Sequence, residues 1–448
     1  MDPAGSRLIS TEEALEQARR EKAISLDNWS RLDIQRWSCD SKVDAGVDEV
    51  YELIKGLEGF SGKANIQKKH LKVILLNLYA NYLEDPNKYT GFYRMVNKYR
   101  PAGRYNPLHI TKTTIRVTDH IIALNLIEYH PGHHRREGKG KSHMSRMRAK
   151  PSLIEVLDKH GWNELTVARA ANSECIVLRT RDLTGDRVVE LEYEDTDDTR
   201  RMREELCRYN NILRTTFVDI PEYPVEGVLS SSGARIIRIN PTNKFVRRIF
   251  NNGVWEDGGR FYGPWWQSVP KEWRKRIRID DEQTIEWDYS GLHVIILYAL
   301  KKLDYWKEDG DDTYRLPNRE PSERLRSLLK LVLLVTINTP DINAALRGIR
   351  WEMVQNPTEY EWVKEEGIVL KEVIEEFVQR HRPIEEYFFS EMGVNLQFLD
   401  SRIAEIIINE LTFRGIPCLT IHDSFITTRQ EEQYLESVMN RAIEQGIQ

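Results

Sequence analysis

TIEWDYSGLHVIILYAL, residues 284–300, changes its apolar period in mid-stretch. Ile285 and Trp287 alternate with Glu286 and Asp288, the period of two expected of a half-buried strand. From Leu292 onward Leu292, Val294, Ile295, Ile296, Tyr298 and Leu300 are too dense for alternation and predict a buried helix. The Ser290-Gly291 turn between the two elements holds Asp288 at the end of a core strand, facing a cleft, where a metal-binding carboxylate belongs. Taken alone, Asp288 reads as a structural residue, because Asp favours helix starts.

A second stretch changes that balance. GIPCLTIHDSFITT, residues 415–428, has β-formers on both sides of a short polar centre and predicts a hairpin with Asp423 at its tip. Two carboxylates brought together this way can bridge a pair of Mg²⁺ ions, which clamp the attacking and leaving oxygens in phosphoryl or nucleotidyl transfer.

WDYSGLHVIILYA resembles motif A of the A-family, DNA polymerase I-like, DNA polymerases. IHDSF, residues 421–425, resembles motif C of their relatives, the single-subunit phage and mitochondrial RNA polymerases. Between them Arg326 and Lys330 match the R-x-x-x-K of the fingers helix, and upstream Gly259-Arg260 with Gln267-Ser-Val-Pro270 is similar to the segment lining the template-primer. The matches keep the family's order and cover roughly residues 245–448. The resemblance implies an α+β fold, a right-hand palm and fingers, with a winged-helix-like module before it. It implies a nucleotidyltransferase using Mg²⁺ (two ions, with Mn²⁺ as a substitute) on a DNA template-primer and nucleoside triphosphates. Asp288 and Asp423 would be the catalytic metal ligands, and Arg326 and Lys330 would hold the triphosphate. His293 and Asn338 would lie at the nucleotide, and Arg260, Gln267, Gln397 and His422 at the primer and template. Asn338 departs from the family, which has a tyrosine there. His293 stands where the DNA polymerases place a glutamate against a 2′-hydroxyl and the RNA polymerases a small residue, so the motifs divide on sugar choice. Its bulk and the Gln-Ser-Val-Pro segment favour deoxynucleotides. No carboxylate set resembling a proofreading exonuclease precedes residue 240. The alternatives are a single-subunit RNA polymerase or primase, or a non-catalytic replication or defence protein that binds DNA and keeps a degenerate palm.

The chain is 448 residues long, which predicts two or three domains. Its 40% hydrophobic and 30% charged content is that of a soluble globular protein. No apolar run reaches the length of a membrane span and the N-terminal residues lack a secretory signal's apolar core, so a cytoplasmic protein with no membrane partner is expected. Cys39, Cys175, Cys207 and Cys418 form no C-x-x-C pair and read as reduced thiols. The net charge of −5 does not exclude nucleic acid, since binding depends on local clusters of charge.

Four segments are expected. Residues 1–60 read as polar and helical, with Ser10 or Thr11 a candidate cap. Residues 61–155 contain a helix over Asn65 to Leu83, with Leu71, Ile74, Leu75, Leu78, Tyr79 and Tyr82 on one face, and a second over Thr111 to Ala123. Asn125 supplies a left-handed stop before a strand. Residues 133–150, HHRREGKGKSHMSRMRAK, then hold seven Lys or Arg against one Glu. Helix, helix, strand, basic loop and strand is the order of a winged helix-turn-helix. Arg135, Arg136, Lys139, Lys141, Arg146 and Arg148 are the candidate phosphate contacts. Residues 156–240 read as a connector or reduced thumb, with a hairpin about Thr184-Gly185-Asp186 and a helix over Asp195 to Leu213. Residues 241–448 form the core, where basic residues interleaved with aromatic ones suit a surface that stacks bases and pairs phosphates.

Overall fold

The computed structural model describes residues 26–99, 101–133, 143–182, 184–185, 187–230, 236–308 and 311–447. The chain is a mixture of helices and mostly antiparallel sheets, an α+β arrangement. The chain divides into two compact units, Met1–Glu174 with Arg238–Asn243, and Cys175–Ile237 with Lys244–Gln448. This differs from the expected boundaries at residues 60, 155 and 240. Strand Ile176–Arg181 pairs in parallel with Arg247–Phe250, which ties the expected connector to the expected core segment. Helix Ser41–Lys55, with Asp40 capping it by accepting from the Lys42 amide at 2.8 Å, packs Val43, Val47, Val50 and Ile54 into the first unit's core.

That core surrounds helix Ala64–Glu84. The sequence predicts one apolar face, but His70 through Asn81 are buried all round. A polar residue tolerates this only with a partner. Asn77 donates to the Asp33 carbonyl at 3.0 Å, Asn81 to Thr90 at 2.8 Å, and Lys72 pairs with Asp44 at 2.7 Å. Beside the helix lies a four-stranded sheet: Trp29–Arg31, Tyr89–Phe92, Ser145–Ala149, Ile127–His130. Asn125, at φ 58°, stops helix Thr113–Ala123 and turns the chain into strand Ile127–His130, as the sequence predicts.

The second unit holds two larger sheets. One runs Gly258–Tyr262, Arg247–Phe250, Ile176–Arg181, Val188–Glu190, and the last two strands form the predicted hairpin about Thr184 and Gly185. The other has five antiparallel strands in the order Leu419–Ile421, Ser424–Thr428, Glu282–Asp288, Arg278–Ile279, Val218–Asp219. Helix Gly393–Phe413 is its central rod, packed on strand Gly258–Tyr262 and on helices Asp197–Thr215, Leu292–Leu300 and Glu432–Ile447. Tyr209, in helix Asp197–Thr215, donates to the Cys418 carbonyl at 2.6 Å, so this helix braces the five-stranded sheet. Trp265 and Trp266 are buried, and Trp266 Nε1 donates to the Thr420 carbonyl at 3.2 Å. They are core residues in place of a stacking surface. A helical layer comes next in the chain, Glu323–Ile337, Ile342–Gln355, Pro357–Glu365 and Leu370–Arg380. Its first member is capped by Ser322, which accepts from the Leu325 amide at 3.1 Å. All four cysteines are free thiols. Among the described residues no helix is long and apolar enough to cross a membrane.

Candidate active site

The antiparallel register sets the site. Asp288 is paired with Ser424, and Ile421 with Ser424 across a two-residue turn, so His422 and Asp423 form the hairpin tip beside the end of the Asp288 strand. His422 takes φ 60°, the left-handed geometry such a tight turn requires of its first central residue. Asp288 and Asp423 thus come together from residues far apart in sequence. Burial raises both carboxyls from their ordinary value, and the neighbouring Asp423 raises Asp288 further, against Lys271 and Lys330. Lys271 Nζ stands 3.9 Å from Asp288 Oδ2. Glu286, two residues earlier on the same face, is engaged by Arg274 at 2.8 Å and by Ser424 Oγ at 2.8 Å.

The turn after Asp288 leaves no room for a side chain. Gly291 has φ 74°, and a Cβ there would meet Thr313 Oγ1 at 2.1 Å. This close approach seats Asp312–Tyr314 against the site. Gly291→Ala is expected to cost roughly 1–3 kcal/mol in backbone strain alone and to displace Tyr314. Thermal unfolding and activity, measured together, check it: both should fall.

Arg326 and Lys330 both lie on helix Glu323–Ile337. Arg326 donates to Ser290 Oγ at 3.0 Å and pairs with Asp312 at 2.9 Å. The Tyr314 ring lies 5.1 Å from the Arg326 guanidinium and 5.7 Å from Lys330 Nζ, and burial pushes its phenol up to about 12. Partial desolvation and Arg326 lower the Lys330 ammonium from its ordinary value, against the pull of Asp288. Tyr314 and Asp312 carry no motif; the close Gly291–Thr313 approach and their contacts with Arg326 bring them in.

On the other side, Gly259 approaches helix Gly393–Phe413 closely, and a Cβ on it would stand 2.8 Å from Ser401 Oγ. This brings Arg260 to the buried Asp400, to which Nε donates at 3.0 and 3.1 Å and Nη2 also donates. Burial alone would lower the Arg260 guanidinium, and the Asp400 hydrogen bonds more than compensate. His293 Nε2 lies 3.1 Å from Asp400 Oδ2. The His422 ring packs edge-on against Tyr262 at 5.3 Å, and its buried Nδ1 has no partner among the described residues. Burial lowers the His422 imidazole, with Arg260 adding to the effect.

The Gln267 amide nitrogen donates to the Phe261 and Thr420 carbonyls at 2.9 and 3.1 Å and its oxygen accepts from Gly263 at 3.1 Å, so it fastens one sheet to the next. Asn338 caps the end of helix Glu323–Ile337, donates to the Leu334 carbonyl at 2.7 Å and fills the space a Gly393 Cβ would need. Gln397 is half-buried, one turn before Asp400, with no side-chain hydrogen bond among the described residues.

In the first unit, Arg135, Arg136, Lys139 and Lys141 lie outside the described residues. Arg146 and Arg148 are turned to the fold. Arg146 donates to the Leu26 carbonyl and stacks 5.2 Å from Trp29, while Arg148 pairs with Glu128 and donates to Asn87 Oδ1 at 2.8 Å. Burial would raise the Glu128 carboxyl, but hydrogen bonds from His130, Arg148 and Tyr89 hold it at about 2.

Two carboxylates with hard oxygen ligands, half-desolvated and raised by burial, are a charge arrangement a divalent cation relieves. Among the described residues no cluster of three or more His, Cys, Asp or Glu forms a closed cage. Mg²⁺ does not need one, because it keeps several waters and takes one or two carboxylates plus substrate phosphates. The residues present therefore fit Mg²⁺. No family model matches this chain and no curated protein matches it by sequence.

Proposed function

We propose that this chain is a template-directed nucleotidyltransferase, a DNA polymerase without proofreading. The observation that carries the reading is the Asp288–Asp423 pair, set together by antiparallel register, with Arg326 and Lys330 presented on an adjacent helix. A primer 3′-hydroxyl attacks the α-phosphorus of a nucleoside triphosphate: a new P–O bond forms, the bond from the α-phosphorus to the bridging oxygen breaks so that pyrophosphate leaves, and the hydroxyl proton passes to solvent. Asp288 and Asp423 would hold Mg²⁺, which would supply neutralising charge for the attacking and departing oxygens. Arg326 and Lys330 bind the triphosphate, and Lys330 neutralises charge building on the departing pyrophosphate. Arg326 exchanges Asp312 for phosphate in doing so. Arg260 and His422 face the primer side, Arg260 with its charge already answered by Asp400.

The bulk of His293 supports deoxynucleotides. A ribonucleotide-using RNA polymerase or primase is favoured by one observation: Asp400 holds the ring by Nε2 and leaves Nδ1 without a donor among the described residues. Incorporation of labelled nucleotides on a primed template, run in parallel with each nucleotide set, separates these readings from a non-catalytic DNA-binding protein.

The first unit supports a winged-helix reading in part, although strand Tyr89–Phe92 separates the two helices that the sequence reads as consecutive. Strands Tyr89–Phe92, Ser145–Ala149 and Ile127–His130 are antiparallel neighbours in that order, and Arg135, Arg136, Lys139 and Lys141 lie in sequence between the last two of them. Neutralising Arg135, Arg136, Lys139 and Lys141 is expected to weaken binding to all nucleic-acid sequences and to flatten its salt dependence by up to about 0.9 per phosphate no longer neutralised. Salt titration of duplex binding checks this, and an unchanged slope would put the loop off the nucleic acid.

A further inference from the structure

The two sides of the carboxylate pair carry different chemistry. Lys271, Lys330 and Arg326 stand on the Asp288 side, as cations suited to phosphates. Arg260 and His293 stand on the Asp423 side, close enough to act on its carboxyl. There the positive charge is already answered, because Asp400, its side chain 2% exposed, pairs with Arg260 and contacts His293. A neutralised surface that still hydrogen-bonds fits the uncharged, hydroxyl-bearing part of a nucleotide, which is the sugar.

Asp400 also fixes the tautomer of the neutral imidazole. A carboxylate paired with Arg260 only accepts, so its 3.1 Å contact requires the hydrogen on His293 Nε2. Arg260 Nη2, 3.4 Å from the same nitrogen, therefore donates to Asp400 and not to the ring. In the neutral ring Nδ1 is then an acceptor, and no group among the described residues donates to it. A ring anchored this way meets a hydroxyl at one distance, and can accept from it or crowd it out. A loose ring does neither.

We propose that Asp400 is a positioning residue for sugar discrimination, holding His293 through Nε2 so that the imidazole senses the nucleotide's 2′ position. The proposal rests on the nucleotidyl-transfer reading. It names a residue outside every motif and makes selectivity a property of two side chains acting as a unit.

The experiment compares kcat/KM for a ribonucleoside triphosphate and its deoxy counterpart on one primed template, with Mg²⁺, in wild type, Asp400→Asn, His293→Leu, His293→Gln and the Asp400→Asn/His293→Leu double variant. Asp400→Asn and His293→Leu should each move the ratio toward one by roughly tenfold or more. The double variant should move it no further, since residues acting through one another are not additive. His293→Gln, whose amide can donate to Asp400 and offers an acceptor beside it, should stay within about threefold of wild type on the same reasoning. Thermal unfolding accompanies each variant, because Asp400→Asn leaves Arg260 less well paired. The two His293 variants keep the Arg260–Asp400 bridge and decide the matter if Asp400→Asn does not fold. A wild-type ratio near one, ratios unmoved in Asp400→Asn and His293→Leu, or additive effects in the double variant would overturn the proposal. Failure of the wild type to incorporate either nucleotide removes the nucleotidyl-transfer reading beneath it, whereas incorporation with an unmoved ratio removes this inference alone.

Discussion

Asp288→Ala and Asp423→Ala are each expected to lower nucleotide incorporation by roughly a thousandfold or more while leaving nucleic-acid binding nearly intact. Each removes one of two carboxylates available to a divalent cation, and several kcal/mol of lost transition-state stabilisation at about 1.36 kcal/mol per decade gives that factor. Stability provides an independent check through linkage. Both carboxyls have folded-state values above the ordinary 3.8. Such groups contribute stability that is present below the unfolded value and lost as pH rises through the folded one. The charged pair therefore destabilises the protein at neutral pH, and Asp288→Asn or Asp423→Asn should raise the unfolding midpoint at about pH 7 and leave it unchanged at about pH 3. Mg²⁺ should raise the wild-type midpoint and not that of either variant, by mass action on the folded state. Primer extension by either alanine variant at a rate near wild type would contradict the assignment.

Lys330→Ala is expected to lower kcat/KM by roughly a hundredfold, about 2.7 kcal/mol, with Arg326→Ala somewhat less damaging. Lys330 has no ion pair among the described residues and is held near Asp288, so its charge is available to a phosphate. Arg326 is shared with Asp312 and Ser290, so part of its charge is answered before any nucleotide arrives. If Lys330 acts on the departing pyrophosphate, kcat should carry most of its loss, whereas a contact made equally in the ground state would appear in KM. Steady-state kinetics on a primed template separate the two, and a Lys330→Ala enzyme with unchanged kcat/KM would remove this residue from the site.

The elements that carry the carboxylates are legible because each is local. The period change at Gly291, the two-residue tip at His422 and Asp423 and the Asn125 stop all write their geometry into a few adjacent residues. What is not local is not legible. Asp400 is an unremarked residue in a helix until Gly259 lets that helix approach Arg260, and Tyr314 reaches the site through the close approach of Thr313 to Gly291 and through its contact with Arg326. Gln267 reads as a template contact by motif, yet its amide is held by backbone carbonyls of two strands. Helix Ala64–Glu84 misleads for a related reason. An amphipathic count takes polar residues as solvent-facing, and Asn77, Asn81 and Lys72 are instead buried with partners supplied by other elements.

The central claim is that Asp288 and Asp423 catalyse templated nucleotidyl transfer. Its most direct test is extension of a labelled primer on a longer template with Mg²⁺, given the deoxynucleotide set in one reaction and the ribonucleotide set in another, with Asp288→Ala as control. Templated extension by the wild type with at least one set, dependent on Mg²⁺ and absent in the control, is the expected result. A folded wild-type protein that binds the primed template and extends it with neither set, or an Asp288→Ala protein that extends it as well as wild type, would contradict the account.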